Sequence, residues 1–259
     1  MTIKLICGII ATRKSNTNGK SCEDFKKEWL KLIEKNKILN TIEFFFLYSS
    51  QDVSGITIEG MDFIVPGVER KNTILHKTIA FFKYILKEKK ECTHILRTNL
   101  SSFYNFPLLL DKLNTLKRTD LVLGSKEKNN KISAFPSGCG TIFSIDVIHR
   151  ICEHFSEDKK DVLKGKQIIY HDDVAIGEIL RKMGVKITHL EYVNLQRMSK
   201  EMQEIKDFID GVKIKESSTR TISFKPWFIE KLKNENLIHY RCSNPEFKFI
   251  FQKLIEKYY

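Results

Sequence analysis

The sequence predicts an α/β fold in which a mixed, mostly parallel sheet is flanked by helices. Short apolar runs alternate with amphipathic segments through the first half of the chain, which is the pattern of strands joined by helical crossovers. Polar residues follow several of these runs. This is typical of α/β sheets, in which ligands bind beyond the ends of the strands. With 259 residues, 42% of them apolar, the chain is long enough to bury one large core.

Five strands and three helices are predicted in the first half. The first helix opens at Ser21 and Asp24, which resemble a capping box, and its apolar residues then recur on one face. Pro107 suits the start of the third helix, because the first turn does not need its backbone N–H. The predicted strands are 3–11, 42–48, 62–65, 93–97 and 120–124, and the second and third helices are 72–86 and 107–116.

The second half begins with a glycine-containing strand that ends at Ser144 and is followed by a helix over 145–155. Asp172 opens the next helix, whose apolar residues recur at helical spacing until Gly184 ends it. The remaining predictions are strands at 185–190 and 237–240, a mobile loop or lid over 199–220, and an amphipathic helix over 245–259.

The composition indicates a basic, globular, cytoplasmic protein. Lys and Arg number 44 against 32 Asp and Glu, a net charge of +12, and such a surface attracts phosphates, nucleotides, nucleic acid or acidic lipid. Six cysteines include no CxxC pair, so we expect reduced thiols and neither disulfides nor structural zinc. The apolar run 42–48 is far shorter than the roughly 20 residues that cross a bilayer, and we expect no transmembrane segment.

Small hydroxyl residues and cations follow the predicted strands. Because the carboxyl ends of parallel strands share one edge of a sheet, these residues form a candidate site for a phosphorylated ligand. They are also ordinary loop residues, and that interpretation stays open. Neither GxGxxG nor GxxxxGK[ST] is present, which disfavours a dehydrogenase and a P-loop NTPase. The strand-end residues are Thr12, Arg13, Ser49, Ser50, Gln51, Asp52, Arg97, Thr98, Asn99, Ser125 and Lys126.

Two adjacent carboxylates open the helix that follows His171. The unpaired N–H groups and the helix dipole at this end favour negative charge, so Asp172 and Asp173 are expected to be ionised and held in place. A fixed, ionised carboxylate can act as a general base. The alternative is that one of the two simply caps the helix.

A second motif precedes this acidic pair. Gly138 and Gly140 flank Cys139 just before an apolar strand, where they permit the close approach of a ligand or of another strand. By itself this signal is weak. Together with the acidic pair it becomes distinctive.

The two motifs resemble those of glycosyltransferases with the GT-A fold, in particular the fringe and β1,3-galactosyltransferase type. The acceptor strand of that family, SGxGxxxS, resembles Ser137, Gly138, Cys139, Gly140 and Ser144 here. Its acidic EDVxxG motif resembles Asp172, Asp173, Val174 and Gly177. The resemblance covers residues 1–190 in order, and only these two motifs in it are specific.

The resemblance implies a single Rossmann-like GT-A domain, with a nucleotide-sugar-binding half at 1–130 and an acceptor-binding half at 131–259. It implies transfer of a hexose from a nucleotide-diphosphate sugar, such as a UDP-sugar, to a hydroxyl of a glycan or glycoprotein, with inversion. Asp173 would be the catalytic base, and Asp172 would orient the acceptor or support Asp173. The acceptor would be bound by Ser137, Gly138, Cys139 and Gly140.

The chain departs from the family where a metal-binding DxD is expected after the fourth strand, because it has Arg97, Thr98 and Asn99 there. Arginine can supply positive charge directly by a bidentate grip on phosphate, and Asn99, Ser101 and Ser102 can hydrogen-bond the sugar or ribose. We therefore expect donor binding by Arg97, Thr98 and Asn99, and metal-independent transfer. Two alternatives stay open, namely that Arg97 forms a surface ion pair or that activity has been lost.

Further residues expected at the donor are Lys77, His239 and Arg241. Lys77 lies off the apolar stripe of its helix, and in many GT-A enzymes a late histidine or arginine closes on the diphosphate. The alternatives are a solvated Lys77 and a structural His239. If a metal such as Mn²⁺ or Mg²⁺ is used after all, Asp172 and His239 are the expected ligands.

Two other classes of function stay open. A catalytically inactive GT-A-like protein that binds a sugar or nucleotide would account for the missing DxD. A nucleic-acid-binding protein would account for the charge, yet no RRM, zinc-finger or helix-turn-helix signature accompanies it, and we expect no specific nucleic acid partner. Residue types alone do not reveal the oligomeric state.

Overall fold

The computed structural model of the chain describes residues 2–12, 19–36, 41–69, 73–129, 132–155, 172–190, 192–194, 237–241 and 248–259. Within these residues, an eight-stranded mixed sheet, mostly parallel, forms the centre, and helices cover both of its faces. The predicted α/β fold class is therefore confirmed.

The central sheet has a parallel middle and antiparallel additions. The strands of the described residues are β1 (Leu5–Ile10), β2 (Ile42–Ser50), β3 (Thr57–Glu59), β4 (Asp62–Pro66), β5 (His94–Asn99), β6 (Ser102–Tyr104), β7 (Val122–Asn129), β8 (Ile132–Ser144), β9 (Ile187–His189), β10 (Tyr192–Asn194) and β11 (His239–Arg241). Their order in the large sheet is β3-β4-β2-β1-β5-β8-β7-β9. β1 pairs in parallel with β2 and β5, whereas β8 runs antiparallel to β5 and β7.

Two groups of helices enclose separate apolar cores. The helices of the described residues are α1 (Gly19–Asn36), α2 (Ile74–Glu88), α3 (Phe106–Thr115), α4 (Ile145–His154), α5 (Asp172–Lys182) and α6 (Lys248–Tyr258). α1, α3 and α6 cover one face, where Trp29 lies against Phe106 and Phe251. α2, α4 and α5 cover the other face, where Phe82 lies against Phe143. In the part of the chain that the structure describes, no helix is both long and apolar enough to span a membrane.

A small second sheet, β10-β11-β6, extends the first core beyond the carboxyl end of β5. The end of α6 holds this sheet in place. The hydroxyl groups of Tyr240 and Tyr258 are hydrogen-bonded at 2.6 Å. The Tyr259 hydroxyl donates to the carbonyl of Tyr104 at 3.0 Å and accepts the N–H of Phe106 at 2.6 Å.

The elements differ from the predicted ones mainly at their ends. α1 begins at Gly19, so Ser21 lies inside the helix and the predicted capping box is wrong. α3 begins at Phe106, and Asn105 is its cap, because its Oδ1 accepts the N–H of Leu108 at 3.3 Å. β7 continues to Asn129 and forms a long hairpin with β8, well beyond the predicted strand. The predicted starts of the helices at 72 and 245 lie outside the described residues.

Candidate active site

The carboxyl ends of β1, β2 and β5 share one edge of the sheet, and the acidic helix α5 begins beside them. β5 ends at Asn99 and α5 begins at Asp172, so residues 97–99 meet the acidic pair. The glycine-containing segment 137–140 of β8 lies between them. Three motifs that are far apart in sequence are therefore neighbours in the fold.

An irregularity in β8 shapes the middle of this site. The β7–β8 ladder includes the pair Gly124 with Thr141 and then the pair Lys126 with Pro136. Four residues of β8, 137–140, therefore lie opposite the single residue 125 of β7, so β8 has three extra residues here and bulges out of this ladder. Bulges are common beside functional sites because they redirect side chains and end regular pairing. This bulge turns backbone N–H and C=O groups toward side chains of β5 and α5.

Arg97 and the acidic pair meet at the bulge. The guanidinium of Arg97 donates through Nη2 to Asp172 Oδ2 and through Nη1 to the carbonyl of Gly138. The N–H of Gly138 donates to Asp173 Oδ2 at 3.1 Å. Arg97 is only 5% exposed and Asp172 only 7%, so they form a buried ion pair. The alternative of a surface ion pair at Arg97 is therefore wrong.

Both carboxylates lie on the first turn of α5, as predicted. The helix begins at Asp172, so its cap position is residue 171, which lies outside the described residues. Asp173 Oδ1 accepts the N–H of Val174 at 2.8 Å and thereby satisfies one unpaired amide of this turn. The two acids also do more than cap a helix, because Asp172 binds Arg97 and Asp173 binds the bulge.

Asp173 is half-buried, and its pKa is raised above the ordinary value for aspartate. Burial is the main cause, because it disfavours the charged form, and the negative charge of Asp172 adds to the effect. The N–H groups of Val174 and Gly138 and the positive charge of Arg97 oppose the rise. A raised pKa brings this carboxylate closer to the pH range in which a general base is most efficient.

The next two residues of β5 also bond the bulge. Thr98 Oγ1 donates to the carbonyl of Cys139 at 2.8 Å, and Asn99 Nδ2 donates to that of Gly138 at 3.3 Å. Ser102 Oγ adds a further bond to the Cys139 carbonyl at 2.6 Å. The side chains predicted to bind the donor here are therefore engaged with protein groups in this structure.

Lys77 is fully buried, so the alternative of a solvated lysine is wrong. Its Nζ donates to the carbonyl of Ala11 and to Glu69 Oε1, both at 2.7 Å. Glu69 Oε2 in turn accepts the N–H of Ser49 at 2.8 Å. Burial lowers the pKa of Lys77, and the Glu69 carboxylate opposes that shift. The pair ties α2 to the carboxyl ends of β1 and β2.

His239 packs beneath the bulge. Its ring stacks on that of Tyr104, with the centroids 4.4 Å apart. Gly140 leaves room for both rings, since a Cβ there would lie 1.5 Å from Tyr104 Oη and 3.4 Å from His239 Cε1. Burial, helped by the charge of Arg241, lowers the pKa of His239 to about 3. This environment matches the structural alternative for His239, and the predicted contact with a donor stays a prediction.

Arg241 ends the same strand and is partly exposed. It pairs with Ser102 of β6, and strand alternation places both on the side of the small sheet that carries His239 and Tyr104. Ser102 Oγ also donates to Asn99 Oδ1 at 2.9 Å, so Arg241 lies close to the end of β5. Its Nε has no hydrogen-bond partner among the described residues.

The expected alternative metal ligands do not come together. Asp172 binds Arg97 on one side of β5. Thr98, which follows Arg97 in β5, faces the opposite side of the strand, and its Oγ1 is 3.5 Å from the hydroxyl of Tyr104. His239 stacks on Tyr104 and therefore lies on that opposite side. Over the ranges that the structure describes, no three His, Cys, Asp or Glu side chains are arranged to hold a metal ion. The residues that the structure describes therefore form no site that fits a bound divalent cation.

The remaining predicted residues lie at strand ends on the margin of the site or within the bulge. Thr12 follows β1 and Ser50 ends β2, both half-buried, and the hydroxyl of Ser50 bonds Asp52 at 2.9 Å. Ser137 Oγ and Cys139 Sγ are 3.0 Å apart within the bulge. No described cysteine forms a disulfide. Outside the described residues lie Arg13, His171 and the expected lid at 199–220.

Two residues around the site escape prediction from the sequence. Glu69 lies in a loop without periodicity, and its one signal is indirect, because a buried lysine such as Lys77 requires a carboxylate or carbonyl partner. Tyr104 lies on β6, whose three residues are too few for an alternating pattern to be recognised.

The chain has a Rossmann-like α/β fold, and its candidate site combines an acidic helix start with a glycine-containing bulge. The likeness to GT-A glycosyltransferases rests on those motifs in the sequence. No protein-family model matches this chain, and no curated protein matches it either.

Proposed function

We propose that this protein transfers a glycosyl group from a nucleotide-diphosphate sugar to an acceptor hydroxyl, with inversion at the anomeric carbon. The observation that supports the proposal most strongly is the environment of Asp173. Its carboxylate is half-buried at the carboxyl edge of the parallel strands and is fixed by the N–H groups of Gly138 and Val174. A fixed carboxylate with a raised pKa has the properties of a general base.

In the proposed reaction, Asp173 takes the proton of the acceptor hydroxyl while the acceptor oxygen forms a bond to the anomeric carbon. The bond between that carbon and the phosphate oxygen breaks, and the nucleoside diphosphate leaves with the electron pair. The base must be ionised to work, so the rate rises with pH through the raised pKa of Asp173. The rise of the rate with pH is therefore expected at a higher pH than the ordinary pKa of an aspartate would give.

Positive charge must meet the departing diphosphate. Arg97 and Lys77 are buried in ion pairs with Asp172 and Glu69, so their charges are largely balanced. Arg241 is partly exposed and lies beside the end of β5, which makes it the best-supported contact for the leaving group among the described cations. The donor class is a nucleotide-activated hexose, with UDP-sugars first, and the acceptor is a hydroxyl of a glycan or glycoprotein.

Release of nucleoside diphosphate from a panel of UDP- and GDP-hexoses, with and without EDTA and a glycan acceptor, tests the proposal. We expect wild type to release nucleoside diphosphate from one donor, with little effect of EDTA. The Asp173→Asn protein should release none, although it still binds the donor. Asp111→Asn changes an exposed aspartate of α3 and should behave as wild type. Wild-type release by the Asp173→Asn protein would contradict the proposed mechanism.

A second candidate is a catalytically inactive protein that binds a nucleotide or sugar. One observation favours it, namely that both buried cations near the site already have carboxylate partners. Saturable binding of a UDP-sugar that is never hydrolysed or transferred would support this candidate over the enzyme.

A further inference from the structure

Three consecutive residues of β5 hold two carbonyl groups of the β8 bulge. Arg97 Nη1 and Asn99 Nδ2 both donate to the carbonyl of Gly138, and Thr98 Oγ1 donates to that of Cys139. These are the residues that stand where the resembled family has its metal-binding DxD. In this structure their side chains donate hydrogen bonds to the glycine-containing segment. Arg97 and Asn99 do so from one face of β5 and Thr98 from the other.

The other side of Gly138 faces the proposed base. Its N–H donates to Asp173 Oδ2, and a Cβ at this position would lie 2.9 Å from that oxygen and 3.5 Å from Arg97 Nη1. A side chain at position 138 would therefore displace the Asp173 carboxylate from the N–H that holds it, whereas its distance from Arg97 is that of an ordinary contact.

The contacts close into a ring. Asp172 Oδ2 accepts from Arg97, Arg97 donates to the Gly138 carbonyl, and the Gly138 N–H reaches Asp173, which is covalently joined to Asp172. Arg97 and Asp172 are the buried members, whereas Asp173 is half-buried. The guanidinium therefore lies behind the base, and both of its Nη groups are committed to protein acceptors.

We propose that Arg97 is a positioning residue for Asp173, acting through the backbone of Gly138, and that its main role is not to grip the donor phosphates. The guanidinium balances the charge of Asp172, which would otherwise disfavour a second carboxylate beside it. It also fixes the peptide group whose N–H orients the base. This inference rests on the proposed function, since it assigns a role within that site.

The first test needs no substrate. Amide exchange of Gly138 and the titration of the Asp173 carboxyl are followed by NMR in wild type, Arg97→Lys and Arg97→Met, with the carboxyl signal assigned from its absence in Asp173→Asn. In Arg97→Met, we expect Gly138 exchange to be about tenfold faster relative to amides of β1, because one support of the bulge is lost. The pKa of Asp173 should rise further, since the positive charge that opposes the rise is removed.

Two controls make this test decisive. Arg181→Met removes an exposed arginine of α5 that pairs with Glu178 and should change neither readout. Because Arg97→Met leaves the buried Asp172 without its cation, the double variant Arg97→Met/Asp172→Asn, in which neither charge of the pair remains, is measured as well. Lysine has a single nitrogen and lacks the planar fork by which two guanidinium nitrogens reach Asp172 and Gly138 separately, so Arg97→Lys should restore the pKa of Asp173 better than the protection of Gly138. Unchanged Gly138 exchange and Asp173 titration in Arg97→Met would overturn the inference.

A second test separates positioning from phosphate binding. In Arg97→Met we expect kcat to fall about 100-fold, as for a misplaced catalytic group, with little change in the donor KM. If UDP binding weakens far more than uridine binding, Arg97 grips the diphosphate and the inference is wrong. If wild type transfers no sugar from any donor, the proposed function fails, while the NMR test still decides whether Arg97 positions Asp173.

Discussion

Gly140 shows how closely the small sheet approaches the candidate site. Tyr104 is fully buried, and its hydroxyl occupies the space that a side chain at position 140 would need. The ring of His239, which stacks on that of Tyr104, borders the same space, and its Cε1 lies 3.4 Å from the Cβ position. Gly140 is not in the left-handed region, so space alone requires glycine here. In this chain the second glycine of the motif therefore has a packing role.

Gly140→Ala should lower the free energy of unfolding by about 3 kcal/mol, because the added methyl overlaps Tyr104 Oη and the core is already closely packed. Urea unfolding monitored by circular dichroism measures the change. Gly55→Ala is the matched control, since no atom lies within 4 Å of its Cβ position. Removing the hydroxyl in Gly140→Ala/Tyr104→Phe should recover part of the loss. Equal stability of Gly140→Ala and wild type would contradict this account.

At the scale of elements, Lys77 joins α2 to the edge of the sheet. The sequence places Lys77 off the apolar stripe of its helix, where a lysine can lie either in solvent or in a buried polar contact. In the structure Lys77 is buried, because the Ala11 carbonyl and the Glu69 carboxylate accept its hydrogen bonds, and no local pattern reveals these two acceptors. Glu69 also receives the Ser49 N–H, so a single ion pair fixes a loop, a helix and two strand ends.

Lys77→Met should lower the free energy of unfolding by about 3 to 5 kcal/mol, because it leaves the mostly buried carboxylate of Glu69 without its cation. Replacing both partners, in Lys77→Met/Glu69→Gln, should recover much of the loss. Lys87→Met on the same helix removes only an exposed pair with Glu88 and should change the stability by less than about 0.5 kcal/mol. Urea titrations of the four proteins give the comparison. A cost for Lys77→Met no larger than that for Lys87→Met would show that the buried pair does not stabilise the fold.

Long periodic elements are predictable from this sequence, and only some of the short ones are. The apolar run of β2 and the helical spacing of α2 indicate their elements directly, because packing against the sheet requires those patterns. β9 and β11, with three residues each, overlap the predicted strands at 185–190 and 237–240, whereas the equally short β3, β6 and β10 have no pattern that indicates them. The predicted start of α1 is wrong because a serine three residues before an acid also occurs inside helices.

At the scale of the whole molecule, the sequence indicates which polar residues gather at one edge but not how they pair. The order of strands and helices brings Arg97 and Asp172 to the same edge, although they are 75 residues apart. Their mutual bond, and the bond of Arg97 to Gly138 across 41 residues, depend on the bulge in β8. The sequence predicts that Arg97 grips phosphate, whereas in the structure the guanidinium is buried and its Nη groups donate to Asp172 and Gly138.

Two buried imidazoles make the fold sensitive to acid. Burial lowers the pKa of His94 to about 4 and that of His239 to about 3, from about 6.5 in an exposed histidine. Between these values and about 6.5 the unfolded chain binds more protons than the folded one, so stability falls as the pH falls. Asp173 acts in the opposite direction, because its raised pKa favours proton binding by the folded state. Since two histidines oppose one carboxyl group, we expect the histidines to prevail above pH 4.

The free energy of unfolding should therefore fall from pH 7 to pH 4, with each of the two imidazoles contributing a loss of about 3 kcal/mol. His239→Phe keeps an aromatic ring against Tyr104 but cannot take up a proton, so its curve should fall less steeply by that amount. Exposed His76 provides the control, and His76→Gln should follow wild type at every pH. Urea unfolding at intervals of half a pH unit measures all three curves. Parallel curves for His239→Phe and wild type would show that protonation of this imidazole does not lower the free energy of unfolding, and would contradict this account.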